Sequence, residues 1–330
     1  MRLLVTGATG FLGRALIPRL VERFGPGSVG ALLLPGDAFP DCWRDLAVRE
    51  IRGDVADAGS VDSAVAGSDA VIHAAGLVTY ARRDRAALAR VNVLGTRHVA
   101  AACVMHRVKR LVHISSVGAL GMRRDGVPTD EDQPYNWPAG FVYMESKIAG
   151  QSEVLRRVES DGLNAVVLNP ASIMGPGDPT PSSAHNRLHA FVRSSPVLPS
   201  FRGSLGVVDV RDAAEIAAKA VQQGVPGRCY LLSGSNVSYP DVLAAMARAM
   251  GLRRVVVVLP GWMLAGAGWA AEGLAAAVGR PPALAESYGR LSAWRCCYTN
   301  ERSCGEFAHT YRAFETTVAD GCRYYLENFA

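Results

Sequence analysis

The sequence lacks the features that mark several large classes of protein. It has no CxxC pair among its seven cysteines and no secretory leader before the first apolar stretch, and this combination predicts a reducing, cytoplasmic location. Its 35 lysines and arginines are scattered along the chain, whereas a nucleic-acid partner requires a basic patch or stripe. It also has no G-x-S-x-G motif, which disfavours an α/β-hydrolase.

Two C-terminal segments raise the questions of a metal and of a membrane. The spacing of Cys296, Cys297 and Cys304 matches no zinc pattern, so we predict buried thiols and no metal. Residues 255–278 are nearly uncharged, but Pro260, Gly261, Gly266 and Gly268 interrupt them, and a span needs about 20 consecutive apolar residues. We therefore favour a core helix over a membrane span, and contact with a bilayer surface stays open as the alternative.

What the sequence does contain is enough apolar material for a large core. Of its 330 residues, 49% are hydrophobic and 20% are charged, which is typical of a globular chain with about two structural units. Short apolar strands alternate with helical patterns, and this alternation predicts βαβ units and a parallel sheet. The predicted strands cover residues 3–5, 29–34, 48–51, 70–74, 111–114, 166–168 and 230–232, and the predicted helices cover residues 11–24, 88–106, 143–159, 182–192, 212–223 and 239–250.

A glycine-rich loop joins the first strand to the first helix. Gly7, Gly10 and Gly13 have the spacing GxxGxxG. The first glycine permits a tight turn, the second lets the backbone approach a pyrophosphate, and the third allows the helix to pack closely on the strand. The helix N-terminus then offers free N–H groups and a partial positive charge to phosphates. The loop predicts a dinucleotide site.

This site and the alternation of strands and helices together predict the fold class. We expect an α/β protein with a Rossmann-type doubly wound parallel sheet. Residues 1–168 would form the dinucleotide-binding domain, and residues 169–330 would form mainly a smaller, mostly helical substrate-binding cap. Segments within residues 205–235 would return to the Rossmann sheet.

The choice between NAD and NADP is open at this point. An acidic residue at the end of the second strand binds the ribose 2′-OH of NAD, and an arginine favours the 2′-phosphate of NADP. Here the strand ends at Leu34, and Asp37 lies past the following turn. Arg14, at the start of the first helix, is placed to reach a 2′-phosphate. Asp54 and Val55 follow the third strand and are expected near the adenine.

A tyrosine and a lysine four residues apart predict acid–base chemistry. Tyr143 and Lys147 share one face of a predicted helix. A free phenol has a pKa of about 10 and is a poor catalyst at neutral pH, and we expect the nearby ammonium group to lower that pKa. Ser115 and Ser116 follow the fifth strand, at the carboxyl edge where parallel sheets build their sites.

With these motifs the chain resembles the extended short-chain dehydrogenase/reductase family over nearly its whole length. The motifs are residues 6–13, 53–55, 73–76, 92–96, 115–116 and 143–147. The resemblance implies that Tyr143 exchanges the proton, that Lys147 holds the nicotinamide ribose, and that Ser116 binds the substrate oxygen. It implies a role in a proton relay or in site geometry for Asn92, with a purely structural role as the alternative. At the cofactor it implies Gly7, Thr9, Gly10, Phe11, Leu12, Gly13, Arg14, Leu34, Asp54, Val55, Ala74, Ala75, Gly76, Ser115, Tyr143, Lys147, Pro170 and Ser172.

Within that family the chain is similar to the dihydroflavonol-4-reductase-like and 3β-hydroxysteroid dehydrogenase-like branch. The resemblance rests on residues 169–181, 207–212 and 230–234. Nucleotide-sugar epimerases of the family have an asparagine where this chain has Ser172. Nucleotide-sugar dehydratases have an Asp-Glu pair after the serine, where this chain has Val117 and Gly118. The branch usually has an arginine at the position of Leu34, so the branch favours NADP while this residue weighs against it.

The residues around the tyrosine favour a hydrophobic substrate. We predict an NAD(P)-dependent oxidoreductase that transfers hydride between nicotinamide and a hydrophobic ketone or secondary alcohol. The alternatives are a nucleotide-sugar epimerase of the same family and a non-catalytic nucleotide-sensing protein. The resemblance also implies a homodimer formed through the helices that contain Asn92 and Tyr143. The predicted substrate residues are Val117, Trp137, Tyr143 and Met174, and Trp262 and Trp269 are assigned to the cap.

Overall fold

The computed structural model describes residues 1–260 and 294–330 except 124 and 126, together with Met263 and Gly266. The strands are β1 Leu3–Thr6, β2 Val29–Leu33, β3 Arg49–Arg52, β4 Ala70–His73, β5 Arg110–Ile114, β6 Ala165–Pro170, β7 Ser172–Met174, β8 Val197–Ser200, β9 Ser204–Asp209, β10 Cys229–Leu232, β11 Ser235–Ser238 and β12 Val255–Val258. The α-helices are α1 Phe11–Phe24, α2 Cys42–Asp45, α3 Ala58–Val65, α4 Arg85–Leu88, α5 Thr96–Met105, α6 Val142–Asp161, α7 Ala184–Ser194, α8 Val210–Ala220, α9 Tyr239–Ala249, α10 Glu301–Phe307 and α11 Phe314–Phe329.

The central sheet has seven strands in the order β10-β6-β5-β4-β1-β2-β3. Every neighbouring pair in it is parallel, which confirms the predicted α/β parallel sheet. The strand order reverses beside β1, because β1 pairs with β2 on one side and with β4 on the other. In open α/β sheets ligands bind at such a reversal, beyond the carboxyl ends of the strands.

Alternating side chains send two apolar clusters to the two faces of this sheet. Leu3 and Val5 of β1 pack with α1 and α8 on one face, whereas Leu4 packs with α3 and α5 on the other. This follows from the two-residue period of a strand. Helix α1 presents Leu16 and Leu20 to the first cluster, and both are fully buried. Its observed bounds coincide with the predicted ones.

The helix predicted over residues 88–106 is interrupted in the structure. A π-helical turn, Ala89–Gly95, lies between α4 and α5. Thr96 Oγ1 donates a hydrogen bond to the carbonyl oxygen of Asn92 at 2.8 Å, and such side-chain bonds compete with the regular helical ladder. Wide turns of this kind are often found at functional sites. Here the turn contains Asn92.

The chain after β6 contains two small sheets that the sequence analysis did not predict. One has the order β11-β9-β7 and the other pairs β12 with β8. The apolar segment expected to be a core helix begins instead as β12, because four consecutive valines favour a strand. The rest of that segment, including Trp262 and Trp269, lies outside the described residues apart from positions 259, 260, 263 and 266.

Strand β10 returns to the central sheet, where it pairs with β6.

The division of the chain into two domains stays a prediction, and the homodimer stays a prediction as well. In the part of the chain that the structure describes, no helix combines the length and the apolar character needed to cross a membrane.

Candidate active site

The glycine-rich loop between β1 and α1 is tightly packed at two of its three glycines. Gly7 has a φ angle of +68°, and a Cβ there would lie 2.6 Å from the backbone nitrogen of Ala75. A Cβ on Gly13 would overlap the carbonyl oxygens of Gly7 and Ala8. At Gly10 the nearest atom to a Cβ would be the Gly7 oxygen, at 3.3 Å. Only glycine therefore fits at positions 7 and 13 without a shift of the backbone.

The start of α1 suits the pyrophosphate of a dinucleotide. Among the described residues, no side chain caps this helix at Gly10, and no acidic residue lies in its first turn. The first N–H groups of a helix have no partner inside it and attract anions. Phe11 stacks on His185 of α7, with 5.4 Å between the ring centroids, and Leu12 is buried. The residues present fit a dinucleotide, and α1 would hold its phosphates.

The segment after β4 forms the opposite wall of this loop. Thr6 Oγ1 accepts a hydrogen bond from the Ala75 N–H at 3.2 Å, which holds the segment against the end of β1. A Cβ built on Gly76 would lie 3.5 Å from Asn92 Oδ1 and 3.9 Å from Lys147 Nζ. This segment therefore connects the glycine loop to the side chains that the sequence predicts as catalytic.

The residues that the sequence predicts near the adenosine lie at the ends of β2 and β3. Leu34 follows β2 directly, and its side chain is 49% exposed. Thr9 Oγ1 donates a hydrogen bond to Asp37 Oδ2 at 2.8 Å. The Asp54 carboxylate is 3.4 Å from Arg90 Nη1. A carboxylate thus lies beside the glycine loop, although β2 itself ends on an apolar residue.

Three further predicted cofactor residues occupy different environments. Val55 is buried, and its carbonyl oxygen lies 3.1 Å from His98 Nδ1. Pro170 is buried at the end of β6. Ser172, at the start of β7, is exposed.

Helix α6 places Tyr143 and Lys147 on one face, next to the end of β5. Both side chains are buried, and a Cβ built on Gly118 would lie 3.4 Å from Ser116 Oγ and 3.6 Å from Tyr143 Cε1, so the serine hydroxyl lies beside the Tyr143 ring. Lys147 Nζ donates to the carbonyl oxygen of Ile114 at 3.1 Å. Ser116 Oγ also accepts the N–H of Gly118 at 3.0 Å. The structure therefore brings together the serine, the tyrosine and the lysine that the sequence predicts as catalytic.

Burial controls the acidity of these groups. Burial raises the pKa of Tyr143 above its ordinary value, and the hydrogen bond with Ser116 acts in the opposite direction. Burial lowers the pKa of Lys147 from 10.5 to about 8. The expectation that the lysine lowers the pKa of the tyrosine is therefore wrong for this arrangement, because desolvation of the phenolate dominates. At neutral pH the Tyr143 hydroxyl is protonated.

Asn92, in the π-helical turn, uses both ends of its amide. Its Oδ1 accepts the N–H of Leu77 at 2.7 Å, and its Nδ2 donates to the carbonyl oxygen of Leu77 and to Ser146 Oγ, each at 3.0 Å. Ser146 Oγ in turn donates to the carbonyl oxygen of Tyr143 at 2.7 Å. Asn92 thus ties the segment after β4 to α6, which supports the geometric role among those considered.

Three polar residues that the sequence analysis did not single out complete the network. Besides Ser146, they are Gln151 and Asn169. Ser115 Oγ donates to Gln151 Oε1 at 2.7 Å, and Asn169 Nδ2 donates to the same oxygen and to the carbonyl oxygen of Ser116, each at 2.8 Å. The helical spacing could have identified Ser146 and Gln151, because Ser146 follows Tyr143 by three residues and Gln151 follows Lys147 by four, on the same face of α6.

Two stacked histidines lie beneath these residues. His73 on β4 and His113 on β5 have ring centroids 5.3 Å apart. His73 Nδ1 is 2.7 Å from Thr6 Oγ1, and its Nε2 is 3.0 Å from Thr96 Oγ1. Within the described chain, neither ring nitrogen of His113 has a hydrogen-bond partner. Burial lowers the pKa of His73 to about 3 and that of His113 well below its ordinary value, so both rings are neutral.

An aromatic wall surrounds Tyr143. Tyr143 and Trp137 belong to one buried hydrophobic cluster, and Val117 packs against that cluster. Trp137 is parallel to Trp294, with 5.2 Å between centroids and an angle of 4°. Tyr80, from the segment after β4, packs on the Tyr143 ring at 5.3 Å. These rings give the site an apolar lining suited to a hydrophobic substrate.

Met174, predicted as a substrate residue, is not part of this wall. It is buried in a separate cluster with Val192 and Leu198. The reason is that β7 leads the chain away from the central sheet into the small sheet with β9 and β11. This placement does not support a contact between Met174 and the substrate.

The cysteines form neither a disulfide nor a recognisable metal site in the described residues. All seven are free thiols, and none of the described clusters holds three or more histidine, cysteine or acidic side chains suited to a metal ion. Cys296 Sγ lies 3.2 Å from Met122 Sδ. Burial raises the pKa of Cys296 to about 11, so it is an unreactive thiol at neutral pH.

The chain is similar to known proteins both in sequence and in structure. Residues 3–233 match the family described as NAD dependent epimerase/dehydratase family. A protein from Synechocystis sp. (strain ATCC 27184 / PCC 6803 / Kazusa) named "Putative dihydroflavonol 4-reductase" is 29% identical over 329 residues, covering 97% of this chain and 93% of that protein. The Homo sapiens 3 beta-hydroxysteroid dehydrogenase type 7 is 32% identical over 295 residues, covering 79% of this chain and 77% of that protein. The structure of the Thermus thermophilus UDP-glucose 4-epimerase in complex with NAD has a TM-score of 0.77 and 22% identity, covering 99% of this chain and 100% of that one.

The fold and the site define a Rossmann enzyme that uses a nicotinamide dinucleotide. The chain belongs to the NAD-dependent epimerase/dehydratase family, whose members are the extended short-chain dehydrogenases/reductases. It is an oxidoreductase of this family that acts on a small-molecule substrate. The resemblance stated from the sequence motifs is therefore confirmed.

Proposed function

We propose that this enzyme transfers hydride between a nicotinamide dinucleotide and a hydrophobic ketone or secondary alcohol. The observation that carries the proposal is the position of the Ser116 hydroxyl beside the Tyr143 ring, inside an aromatic wall. Two hydroxyls held together in an apolar site bind one carbonyl oxygen from two directions. Sugar diphosphates, by contrast, require several charged and polar contacts.

At neutral pH the protonation states of Tyr143 and Lys147 suit proton donation to a ketone that is being reduced. The bound nicotinamide supplies or accepts the hydride, which is the chemistry that the protein itself lacks. Tyr143 is protonated because burial raises its pKa, so its hydroxyl donates a proton to the substrate oxygen. Ser116 orients that oxygen, and Lys147, with a pKa of about 8, is largely charged at pH 7 and stabilises the phenolate that remains.

Two relatives support this substrate class. The Synechocystis and human proteins are named as a reductase and as a hydroxysteroid dehydrogenase, and both names describe redox chemistry between ketone and alcohol groups on ring systems. The aromatic wall around Tyr143 offers the flat apolar surface that such a ring system would contact.

The test is a reductase assay with a panel of hydrophobic ketones, in which the loss of reduced nicotinamide absorbance is followed with NADH and with NADPH. Tyr143→Phe should lose at least about 100-fold in kcat, since general acid catalysis contributes about 10²–10⁴-fold, while nucleotide affinity stays unchanged. Tyr324→Phe, on α11 and outside the buried cluster that contains Tyr143, is the matched control. If Tyr143→Phe retains more than about a tenth of the wild-type rate, Tyr143 is not the proton donor.

The same preparation distinguishes the epimerase alternative. An epimerase would bind a UDP-sugar and would convert it without net consumption of the nucleotide. Tight UDP-sugar binding by titration calorimetry, without turnover of any ketone, would replace the proposed reductase function by epimerisation. Nucleotide binding without either activity would favour the non-catalytic sensor.

A further inference from the structure

The turn after β2 carries a carboxylate back to the glycine loop. The N–H of Asp37 donates to the carbonyl oxygen of Leu34 at 3.0 Å, which closes a tight turn directly after the strand. The Asp37 side chain then reaches the loop, where its Oδ2 accepts the Thr9 hydroxyl at 2.8 Å. A carboxylate three residues beyond the position of Leu34 therefore lies between the end of β2 and the glycine loop, where Rossmann folds bind the adenosine ribose.

A basic residue from β3 holds this turn in place. Arg52 Nη1 donates to the carbonyl oxygens of Leu34 and Asp37, at 2.9 Å and 2.6 Å. Its Nε donates to Glu50 Oε1 at 2.6 Å. The Arg52 guanidinium is therefore bonded to the turn and to a carboxylate.

Arg14 is another cation near this position. Its Nε donates to the carbonyl oxygen of Thr9 at 3.2 Å, so it lies on the same loop as Asp37. Thr9 thus binds the carboxylate through its side chain and the guanidinium through its main chain. The cofactor preference depends on which of these two charges meets the ribose.

We propose that Asp37 is the residue that selects the cofactor, and that it makes the enzyme prefer NAD(H) over NADP(H). The inference rests on the proposed dinucleotide-dependent function. An ionised carboxylate accepts hydrogen bonds from ribose hydroxyls and repels a 2′-phosphate. Thr9 is bonded to Oδ2, and Oδ1 is the oxygen left to accept a ribose hydroxyl. Leu34, at the position where the branch usually has arginine, supplies no compensating positive charge.

The experiment is a titration of the full-length protein with NADH and NADPH, followed by nicotinamide fluorescence or calorimetry. The wild type should bind NADH at least about tenfold more tightly than NADPH, which corresponds to about 1.4 kcal/mol. Asp37→Asn keeps an oxygen for Thr9 but removes the charge, and it should reduce the NADH/NADPH preference by about tenfold. Asp41→Asn is the matched control, because that side chain is 96% exposed and lies four residues further along. It should leave the preference unchanged.

A gain-of-function variant guards against a merely disturbed loop. Leu34→Arg combined with Asp37→Asn should bind NADPH more tightly than the wild type does, which a loosened turn would not produce. Tighter binding of NADPH than of NADH by the wild type, lost in Arg14→Ala, would overturn the inference in favour of Arg14 and leave the reductase function standing. An NADH preference that survives in Asp37→Asn would also overturn it. If neither nucleotide binds to the folded protein, the proposed function and this inference both fail.

Discussion

Lys147 Nζ donates a hydrogen bond to the carbonyl oxygen of Ile114 across 3.1 Å, from α6 to the end of β5. This bond fixes the ammonium group at the carboxyl edge of the sheet, between Gly76 and the Tyr143 helix face. The position is buried, and burial lowers the pKa of Lys147 to about 8. The enzyme therefore keeps the Lys147 ammonium group in a buried position where the loss of solvation disfavours its charge. Functional sites often reduce the stability of a protein in this way.

Lys147→Met should stabilise the folded protein at pH 7. The unfolded chain keeps the lysine protonated up to about pH 10.5, whereas the folded chain releases the proton near pH 8. Between these values the unfolded state binds more protons, so the stability of the wild type rises with pH. Below pH 8 the lysine is charged in both states, and the folded protein bears the whole cost of burying that charge. We expect the variant to be more stable by up to about 3 kcal/mol at pH 7 and the difference to shrink by pH 10. Urea denaturation at both pH values measures it, and a variant that is less stable at pH 7 would contradict the expectation.

The stacked histidines should make the protein sensitive to acid. Both have a lowered pKa in the folded state, that of His73 being about 3. Above pH 6.5 both histidines are neutral in the folded and in the unfolded chain, and the folded protein has its full stability. As the pH falls from 6.5 toward 3, protonation of the unfolded chain lowers the free energy of unfolding. His113→Phe should flatten this acid dependence, because neither His113 nitrogen has a partner among the described residues and a phenyl ring keeps the stack. His73→Phe should instead destabilise the protein at pH 7, because it breaks the contacts with Thr6 and Thr96. If the stability of His113→Phe depends on pH in the same way as that of the wild type, His113 is not a source of the acid sensitivity.

Gly13→Ala should unfold or strongly destabilise the nucleotide-binding loop. The new Cβ would overlap the carbonyl oxygens of Gly7 and Ala8, and relief requires α1 to move away from β1. Gly59→Ala, in α3, is the matched control, because the nearest atom to its Cβ would be 3.5 Å away. The control should be neutral or stabilise by up to about 1 kcal/mol, as alanine favours helix over glycine. Thermal unfolding of both variants decides the point, and equal melting temperatures would show that Gly13 is not needed for packing.

Asn92→Ala should reduce both stability and turnover. The substitution removes the side-chain partner of the partly buried Leu77 N–H and carbonyl groups and one donor to the buried Ser146 hydroxyl, and each such loss costs about 1–3 kcal/mol. The segment after β4 would loosen, which lowers kcat by displacing Tyr80 and the α6 face. Asn164→Ala is the control, because its side-chain bond to the carbonyl oxygen of Lys109 is exposed. If Asn92→Ala keeps the wild-type stability but loses activity, Asn92 acts in the proton relay instead.

Local sequence patterns were sufficient for the central sheet and for the position of Tyr143 and Lys147 on one face of a helix. The four-residue period from Leu12 to Leu20 and the fixed spacing of Tyr143 and Lys147 are properties of neighbouring residues, so they are visible in the chain itself. The turn that brings Asp37 to Thr9 was not predicted, because it depends on Arg52, which lies on another strand.

The remaining misses have the same physical origin. Strand β7 is only three residues long and is defined by pairing with β9, so no periodicity identifies it, and Met174 was assigned to the substrate as a result. The pKa of Tyr143 depends on burial by distant segments, and spacing along a helix does not reveal burial. What the sequence analysis missed is the set of properties created by contacts between elements far apart in the chain.

The pairing of β10 with β6 has a consequence for synthesis on the ribosome. Strand β6 leaves the ribosome about sixty residues before β10. Its outer edge belongs to a strand that is fully buried in the folded protein, and it has no pairing partner during that interval. Exposed edges of this kind recruit other chains. Nascent or truncated chains that end before residue 232 should therefore aggregate or require a chaperone, and the N-terminal half should not be obtainable as an independent soluble fragment.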